Sequence, residues 1–278
     1  MSTALPTLLF PEIIEKRNAP VTRPPLKWAG GKRWQLSHLQ PHWQRHSHRR
    51  LVEPFCGGLA VTLGLQPVRA LLNDINTHLI NFYKQLKAGF VSELWQDNEE
   101  TLYYAYREEF NSLLRAGKAN TPEAAALFYY LNRTGFNGLC RFNRSGDFNV
   151  PFGSYHKINY RQDFMEYKDV FELWEFTNLP FESLMVEPED FIYADPPYDV
   201  EFRHYSKTGF DWKDQERTAQ WLAQHPGPVI LSNQATSRIK ELYRDFGYRL
   251  EFLEAPRRIS CTGDRTPAPE VLAFRNLP

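Results

Sequence analysis

The chain has 278 residues, 42% of them hydrophobic and 15% aromatic, which excludes a disordered chain and supplies enough apolar surface for one sizeable domain with room for an insertion. Lys plus Arg and Asp plus Glu both number 33, so the formal net charge is zero, no whole-molecule basic field draws in a polyanion, and any polyanion site must be a local patch. Cys56, Cys140 and Cys261 are too few and too scattered for a disulfide framework and form no CxxC zinc pattern, and no apolar stretch approaches the roughly 20 residues of a membrane helix, so we expect a soluble cytoplasmic protein with no membrane segment and no metal.

In chain order, residues 1–25 are rich in proline and turn formers, carry no sustained period, and read as a leader. Next comes Lys27-Trp28-Ala29-Gly30-Gly31-Lys32, then a helical-looking stretch, then an apolar strand at Leu51-Val52 that stops in Glu53-Pro54-Phe55-Cys56-Gly57-Gly58. A second short strand, Ala70-Leu71-Leu72, ends in Asn73-Asp74 and precedes a mostly helical region from about residue 76 to 131. Strands alternating with helices predict a doubly wound, mostly parallel α/β sheet. From residue 132 to about 163 the texture changes to Gly, Asn, Arg and aromatic residues with a hairpin signal at Ser145-Gly146-Asp147, which we assign to an inserted module. Two further buried strands follow: Phe191-Ile192-Tyr193-Ala194, which runs into Asp195-Pro196-Pro197-Tyr198, and Pro228-Val229-Ile230-Leu231, which runs into Ser232-Asn233. Ligands in open α/β sheets bind beyond the carboxyl ends of strands, so Gly57, Asp74, Asp195 and Asn233 are expected at one crevice.

The glycine pair lets backbone approach a ligand closely, and an acidic residue at the next strand tip suits the ribose hydroxyls of a nucleoside cofactor; an ordinary turn with a capping Asp is the equally simple alternative. The Asp195-Pro196-Pro197-Tyr198 loop is more specific. Two prolines remove two backbone donors and fix φ, leaving a carboxylate and a carbonyl that can accept from one amino group, with an aromatic face beside them for a base. Two such acceptors can hold a delocalised aromatic amine toward tetrahedral geometry, its lone pair aimed at a sulfonium methyl donor.

Two other patterns carry less. Gly-Gly-Lys suggests a phosphate loop, but Leu26 stands where GxxxxGK needs its first glycine and Arg33 where Ser or Thr would follow. His38, His42, His46 and His48 suggest a metal, but Pro41 should break their helix and Arg45, Arg49 and Arg50 would repel a cation, so we read a basic face. Arg257, Arg258 and Arg265 are candidates for cofactor or phosphate contact.

The order KWAGGK, VEPFCGG, Asn-Asp-Ile-Asn, NRTGFNGLCRFNRSGDFNVPFGSY and ADPPY resembles the Dam-type DNA adenine-N6 methyltransferases, over roughly residues 25–272. The resemblance implies a Rossmann-like methyltransferase fold, with an S-adenosylmethionine-dependent catalytic domain in residues 26–86 and 173–278 and a helical and hairpin target-recognition module in 87–172. It implies double-stranded DNA as partner, no obligate protein partner, a bacterial or phage setting and association with the nucleoid through DNA. Trp28, Lys32, Phe55, Gly57, Gly58, Asp74 and Asp195 would line the cofactor pocket, and Asp195, Pro196, Pro197 and Tyr198 would hold a flipped adenine. Lys27, Arg133, Phe136, Asn137, Leu139, Arg141 and Pro151 would contact DNA, with GATC as the site. The alternatives are methylation of cytosine N4 or of adenine in RNA, and a catalytically silent DNA-binding relative. Two positions depart from the family pattern: Leu59 stands where a glycine or small residue is usual, and Thr134 where an aromatic is common.

Overall fold

The computed structural model describes residues 23–199, 210–255 and 268–277. The leader up to residue 22, together with Arg257, Arg258, Cys261 and Arg265, lies outside the described residues. The chain divides into two compact units, one of residues 1–29 and 81–174, the other of 30–80 and 175–278.

The second unit is built on the sheet. Its strands are β1 (Leu51–Glu53), β2 (Ala70–Asn73), β3 (Trp174–Thr177), β4 (Phe191–Ala194), β5 (Val229–Gln234), β6 (Arg249–Ala255) and β7 (Ala268–Arg275), in the order β3-β2-β1-β4-β5-β7-β6. β1 pairs in parallel with β2 and with β4, β4 pairs in parallel with β5, and β7 runs antiparallel to both β5 and β6. The order reverses between β1 and β4, so the carboxyl ends of those two strands border the switch point at which such sheets take ligands.

Alternation along the strands sends Val52, Ile192, Ala194, Val229 and Leu231 into one core with Ala219 and Leu222 of a helix at Trp212–Ala223 and with Ile239 and Tyr243 of a helix at Ser237–Asp245. The opposite register faces the helix Leu36–Gln44, whose Trp43 meets Phe191 edge-on at 5.4 Å. That helix runs through Pro41, contrary to the break expected there. The proline removes one intrahelical donor, and burial of Leu39 and Trp43 on either side of it holds the turn.

Three strands were not foreseen. β7 carries the apolar run Val271-Leu272-Ala273-Phe274, a readable signal, whereas β3 is short and β6 is an edge strand with Arg249, Glu251 and Glu254 along it.

The first unit is helical and aromatic. Its helices include Glu100–Arg115, Pro122–Thr134 and Met165–Val170. Thr121 caps the second of these by accepting from the Ala124 N–H at 3.1 Å, with Pro122 in the first turn. The stretch from Ala124 to Asn132 is buried throughout, against rings such as Phe82, which stacks on Tyr129 at 5.7 Å. The expected hairpin forms at residues 142–148: Phe142 bridges Phe148, and the Asn143 carboxamide oxygen accepts from the Ser145 and Asp147 N–H groups. Asn111 ties this hairpin to the helix by pairing with both backbone groups of Phe148.

Candidate active site

The tips of β1, β2 and β4 supply the polar groups. After β2, Asp74 accepts the Gly57 N–H on one oxygen at 3.1 Å and the Asn76 N–H on the other at 2.9 Å. Gly57 takes φ 43° to make this approach, in the left-handed region that glycine enters without strain. Burial pushes the Asp74 carboxyl up, and the two backbone donors partly offset it. The glycine and Asp that looked like a nucleoside grip are therefore already joined, with each carboxylate oxygen keeping a second lone pair. Leu59, two residues on, has φ 60° and is fully buried. The position where the resemblance expects a small residue is a left-handed one, and this chain places leucine there at a backbone cost of roughly 1–2 kcal/mol, offset by burying the side chain.

After β4, Asp195 meets Lys32, which stands at the head of a short 3-10 turn, Arg33–Gln35. Lys32 Nζ lies 3.3 Å from Asp195 Oδ1 and 3.3 Å from Glu270 Oε1, so one ammonium serves two carboxylates. The Tyr198 hydroxyl bonds both Lys32 and Glu270, and the ammonium sits over its ring at 4.1 Å. Behind them Gln35 donates to Glu270 Oε2 at 2.8 Å and to the Ser232 hydroxyl at 3.0 Å, and accepts from the Tyr193 hydroxyl at 2.9 Å. Burial pushes the Asp195 carboxyl up to about 7, with Lys32 pulling it down and Glu270 pushing it further up. Glu53, which donates nothing when ionised and accepts from the Thr62 hydroxyl, is pushed up to about 8 by burial, with Asp195 adding to the rise. Apart from the ion pair with Lys32, Asp195 Oδ1 is a buried acceptor with no hydrogen-bond partner. In a protein interior such an atom is uncommon and marks a place built to receive a donor.

Glu53, Gln35 and Glu270 were missed in the sequence. Glu53 belongs to the quoted VEPFCGG run but was read only as a strand end; Glu270 sits in a strand that was not assigned. Asn233, expected at the crevice, is instead buried in a structural bond with Gln215 and Tyr243. Phe55 is half-buried against Phe181, at 5.5 Å between ring centres.

The other predicted residues fall in the first unit, where the structure gathers most of them. The Asn132 carboxamide clamps Lys27 by accepting its N–H at 2.9 Å and donating to its carbonyl at 2.7 Å. Lys27 Nζ donates to the Arg133 carbonyl at 2.8 Å and lies 3.6 Å over the Tyr155 ring. Burial, and then the Arg133 charge, lower the Lys27 pKa to about 8. Phe136 N–H donates to the Pro151 carbonyl at 2.9 Å, which joins the 136–139 turn to the returning strand and leaves the Phe136 ring 47% exposed. Asn137 holds φ 53°, a conformation asparagine tolerates better than most, and Leu139 follows it, half-buried. Arg141 is oriented by the Asn149 side chain and carbonyl at 2.8 and 2.9 Å. Thr134, where the resemblance expects an aromatic, is buried and bonds the Tyr160 hydroxyl at 2.8 Å. Trp28 is half-buried and belongs to this unit, whereas Lys32 belongs to the other.

The histidine run forms no metal centre: among the described residues, no group of three His, Cys, Asp or Glu side chains could hold an ion. His42 packs on Phe274 and His46 on Phe191, and burial lowers the pKa of both. Among the described residues no helix is long and apolar enough to cross a membrane.

The family model described as D12 class N6 adenine-specific DNA methyltransferase matches residues 28–254, most of the chain. The chain belongs to that class of DNA adenine methyltransferases. It is 36% identical over 262 residues to the retron Ec67 DNA adenine methylase of Escherichia coli, covering 89% of this chain and 90% of that protein. It is 35% identical over 270 residues to a DNA adenine methylase of Vibrio cholerae, covering 90% and 94%. A type II methyltransferase of Lactococcus lactis is 34% identical over 259 residues, covering 84% and 88%. The methyltransferase thus acts on adenine in DNA, and the doubly wound fold expected from the sequence is the one observed.

Proposed function

We propose that this methyltransferase takes S-adenosylmethionine as donor and methylates the 6-amino group of an adenine flipped out of double-stranded GATC. The observation that carries the reading is Asp195 Oδ1 at the tip of β4, buried and, apart from the Lys32 ammonium 3.3 Å away, without a hydrogen-bond partner, beside the switch point of the sheet. An exocyclic amine donates one N–H to that oxygen and the other to the Pro196 carbonyl, which turns its lone pair out of conjugation. Asp195 must be ionised to do this, and Lys32 favours that form. The residues suit the cofactor: Asp74 offers its remaining lone pairs to ribose hydroxyls, and the glycine turn at Gly57 and Gly58 suits backbone contact, with Phe55 and Lys32 as further pocket residues. When bound, that group supplies an electrophilic methyl carried on a positive sulfur. Tyr198 leaves Glu270 and Lys32 to stack on the adenine, and Pro197 keeps the loop rigid.

On the DNA side Lys27 reads the first guanine and Arg141 the distal guanine by a bidentate fork, while Leu139 and Pro151 meet thymine methyls and Asn137 bonds a base edge. Phe136 wedges beside the flipped base, and Arg133 takes a phosphate. Calorimetry with S-adenosylmethionine tests the cofactor assignment: Asp74→Ala should weaken binding by roughly 1.5–3 kcal/mol, the worth of hydrogen bonds to a charged group. An unchanged dissociation constant would overturn it.

A further inference from the structure

The loop after β4 has a problem that its own sequence creates. Pro196 and Pro197 have no N–H, so neither can be tethered through a backbone donor, and the loop can be held only through its carbonyls and side chains. Besides the contacts of Asp195 and Tyr198 with Lys32 and Glu270, two tethers among the described residues hold it from neighbouring helices. Gln215, on the helix Trp212–Ala223, donates from Nε2 to the Pro197 carbonyl at 2.7 Å. Two residues further on, Asp199 is buried in an ion pair with Arg238, whose guanidinium also stacks over Trp212 at 4.6 Å.

The first tether is itself fixed from behind. Gln215 is 2% exposed, and its Oε1 accepts from Asn233 Nδ2 at 3.0 Å. Asn233 is fully buried, donates also to the Tyr243 hydroxyl at 3.0 Å, and receives the Gln234 N–H on its own oxygen at 2.8 Å. The chain of bonds runs from the β5 tip through one carboxamide to one loop carbonyl. It also settles which way round Gln215 stands, because Asn233 presents a donor and the Pro197 carbonyl an acceptor. Burying two carboxamides is tolerated only when all their groups are satisfied, so this chain is a specific device and not filler.

We propose that Gln215 is a positioning residue for methyl transfer: by occupying the Pro197 carbonyl it fixes the plane of the Pro196–Pro197 peptide and so aims the Pro196 carbonyl at the adenine amine. This rests on the assignment of Asp195 and Pro196 as the amine acceptors. Gln215 touches neither cofactor nor substrate and acts only through the loop. Its loss should therefore slow the chemical step while leaving the affinities for S-adenosylmethionine and DNA unchanged.

The test uses the full chain, a GATC duplex and single-turnover rates, with Asp195→Ala as a control for the parent assignment. Gln215→Met keeps the volume and removes the donor; the methyl-transfer rate should fall about ten-fold or more at every pH, since small misplacements of a reacting group are costly. Gln215→Glu is the more discriminating variant. Ionised, it sets a carboxylate against the Pro197 carbonyl; protonated, its O–H donates to that carbonyl while its other oxygen accepts from Asn233. Its rate divided by that of wild type should therefore climb as pH falls from 8.5 to 6, whereas the Gln215→Met ratio stays flat. A purely structural role would give a melting-temperature loss with no such climb. Should Gln215→Met fail to fold, the Gln215→Glu ratio carries the test by itself. Wild-type rates in Gln215→Met, or a flat ratio in Gln215→Glu, would overturn the proposal. If Asp195→Ala keeps wild-type turnover, the parent assignment falls instead.

Discussion

Around Asp195 the charged groups are packed away from water, with Lys32 4% and Glu270 5% exposed, and each is held by two or more partners before any substrate arrives. Around Phe136 the reverse holds: the ring is 47% exposed and its turn is joined to the returning chain by the bond from Phe136 N–H to the Pro151 carbonyl, while Arg141 is exposed and held only by the neighbouring Asn149. On the roles proposed above, the difference follows from what each region would have to do. A reacting amine needs acceptors fixed to a fraction of an ångström in a low dielectric, where charges act strongly and pKa values move. Base edges must be met by side chains that reach outward from a scaffold and tolerate water. Lys27 lies between the two extremes, with its backbone clamped by Asn132 and its ammonium resting on Tyr155.

The sharpest way to break this contrast is to remove Asp195. Asp195→Ala should lower methyl transfer by about 100-fold or more, as expected for losing a preorganised contact in a closed site, with little change in melting temperature because the carboxyl buries no apolar surface. Single-turnover kinetics and a thermal melt check both halves of that statement. In the exposed region the effect should be smaller and of a different kind. Arg141→Ala should cost roughly 1–3 kcal/mol of discrimination at the outer base pair and Lys27→Ala a similar amount at the first, the usual worth of a bidentate or charged base contact. Competition between duplexes that differ at one base pair measures each. A uniform loss of rate on all duplexes would show that these residues bind without reading.

The smallest effect is a shift in pH dependence. In the proposed mechanism Asp195 acts as a carboxylate, and its pKa is raised to about 7, so the single-turnover rate should fall as the pH drops through that value. Besides Lys32 and Glu270, the groups that face it are Glu53, Tyr193 and Ser232. Glu270→Gln removes one neighbouring negative charge, which lowers the Asp195 pKa and should move the acid limb to lower pH. A limb that stays in place would separate Glu270 from the charge state of Asp195.

What the sequence disclosed follows the same division. The strand tips were legible because a parallel strand reads as a short apolar run and because two prolines after one have few structural uses; Gly57, Asp74 and Asp195 came from that. Lys32 came only through the resemblance, and the groups packed behind it were not legible, since Gln35 and Glu270 are brought to Asp195 from 160 and 75 positions away and nothing local in Ala-Pro-Glu-Val marks Glu270 as buried. β7, which carries it, reverses the direction of the sheet and departs from the strand–helix alternation on which the reading relied. Asn233 was visible as a strand-tip polar residue, yet only the structure shows its amide turned to Gln215. The left-handed φ of Leu59 explains a departure that in the sequence was only an oddity.

Mapping methylated adenines in DNA from cells expressing wild type, Asp195→Ala and Arg141→Ala tests most directly whether chemistry and reading are built separately. The account predicts methylation concentrated at GATC in wild type, loss at every site alike in Asp195→Ala, and retained methylation spread to sites differing at the outer base pair in Arg141→Ala. Methylation persisting in Asp195→Ala, or an Arg141→Ala map that fades without redistributing, would contradict it.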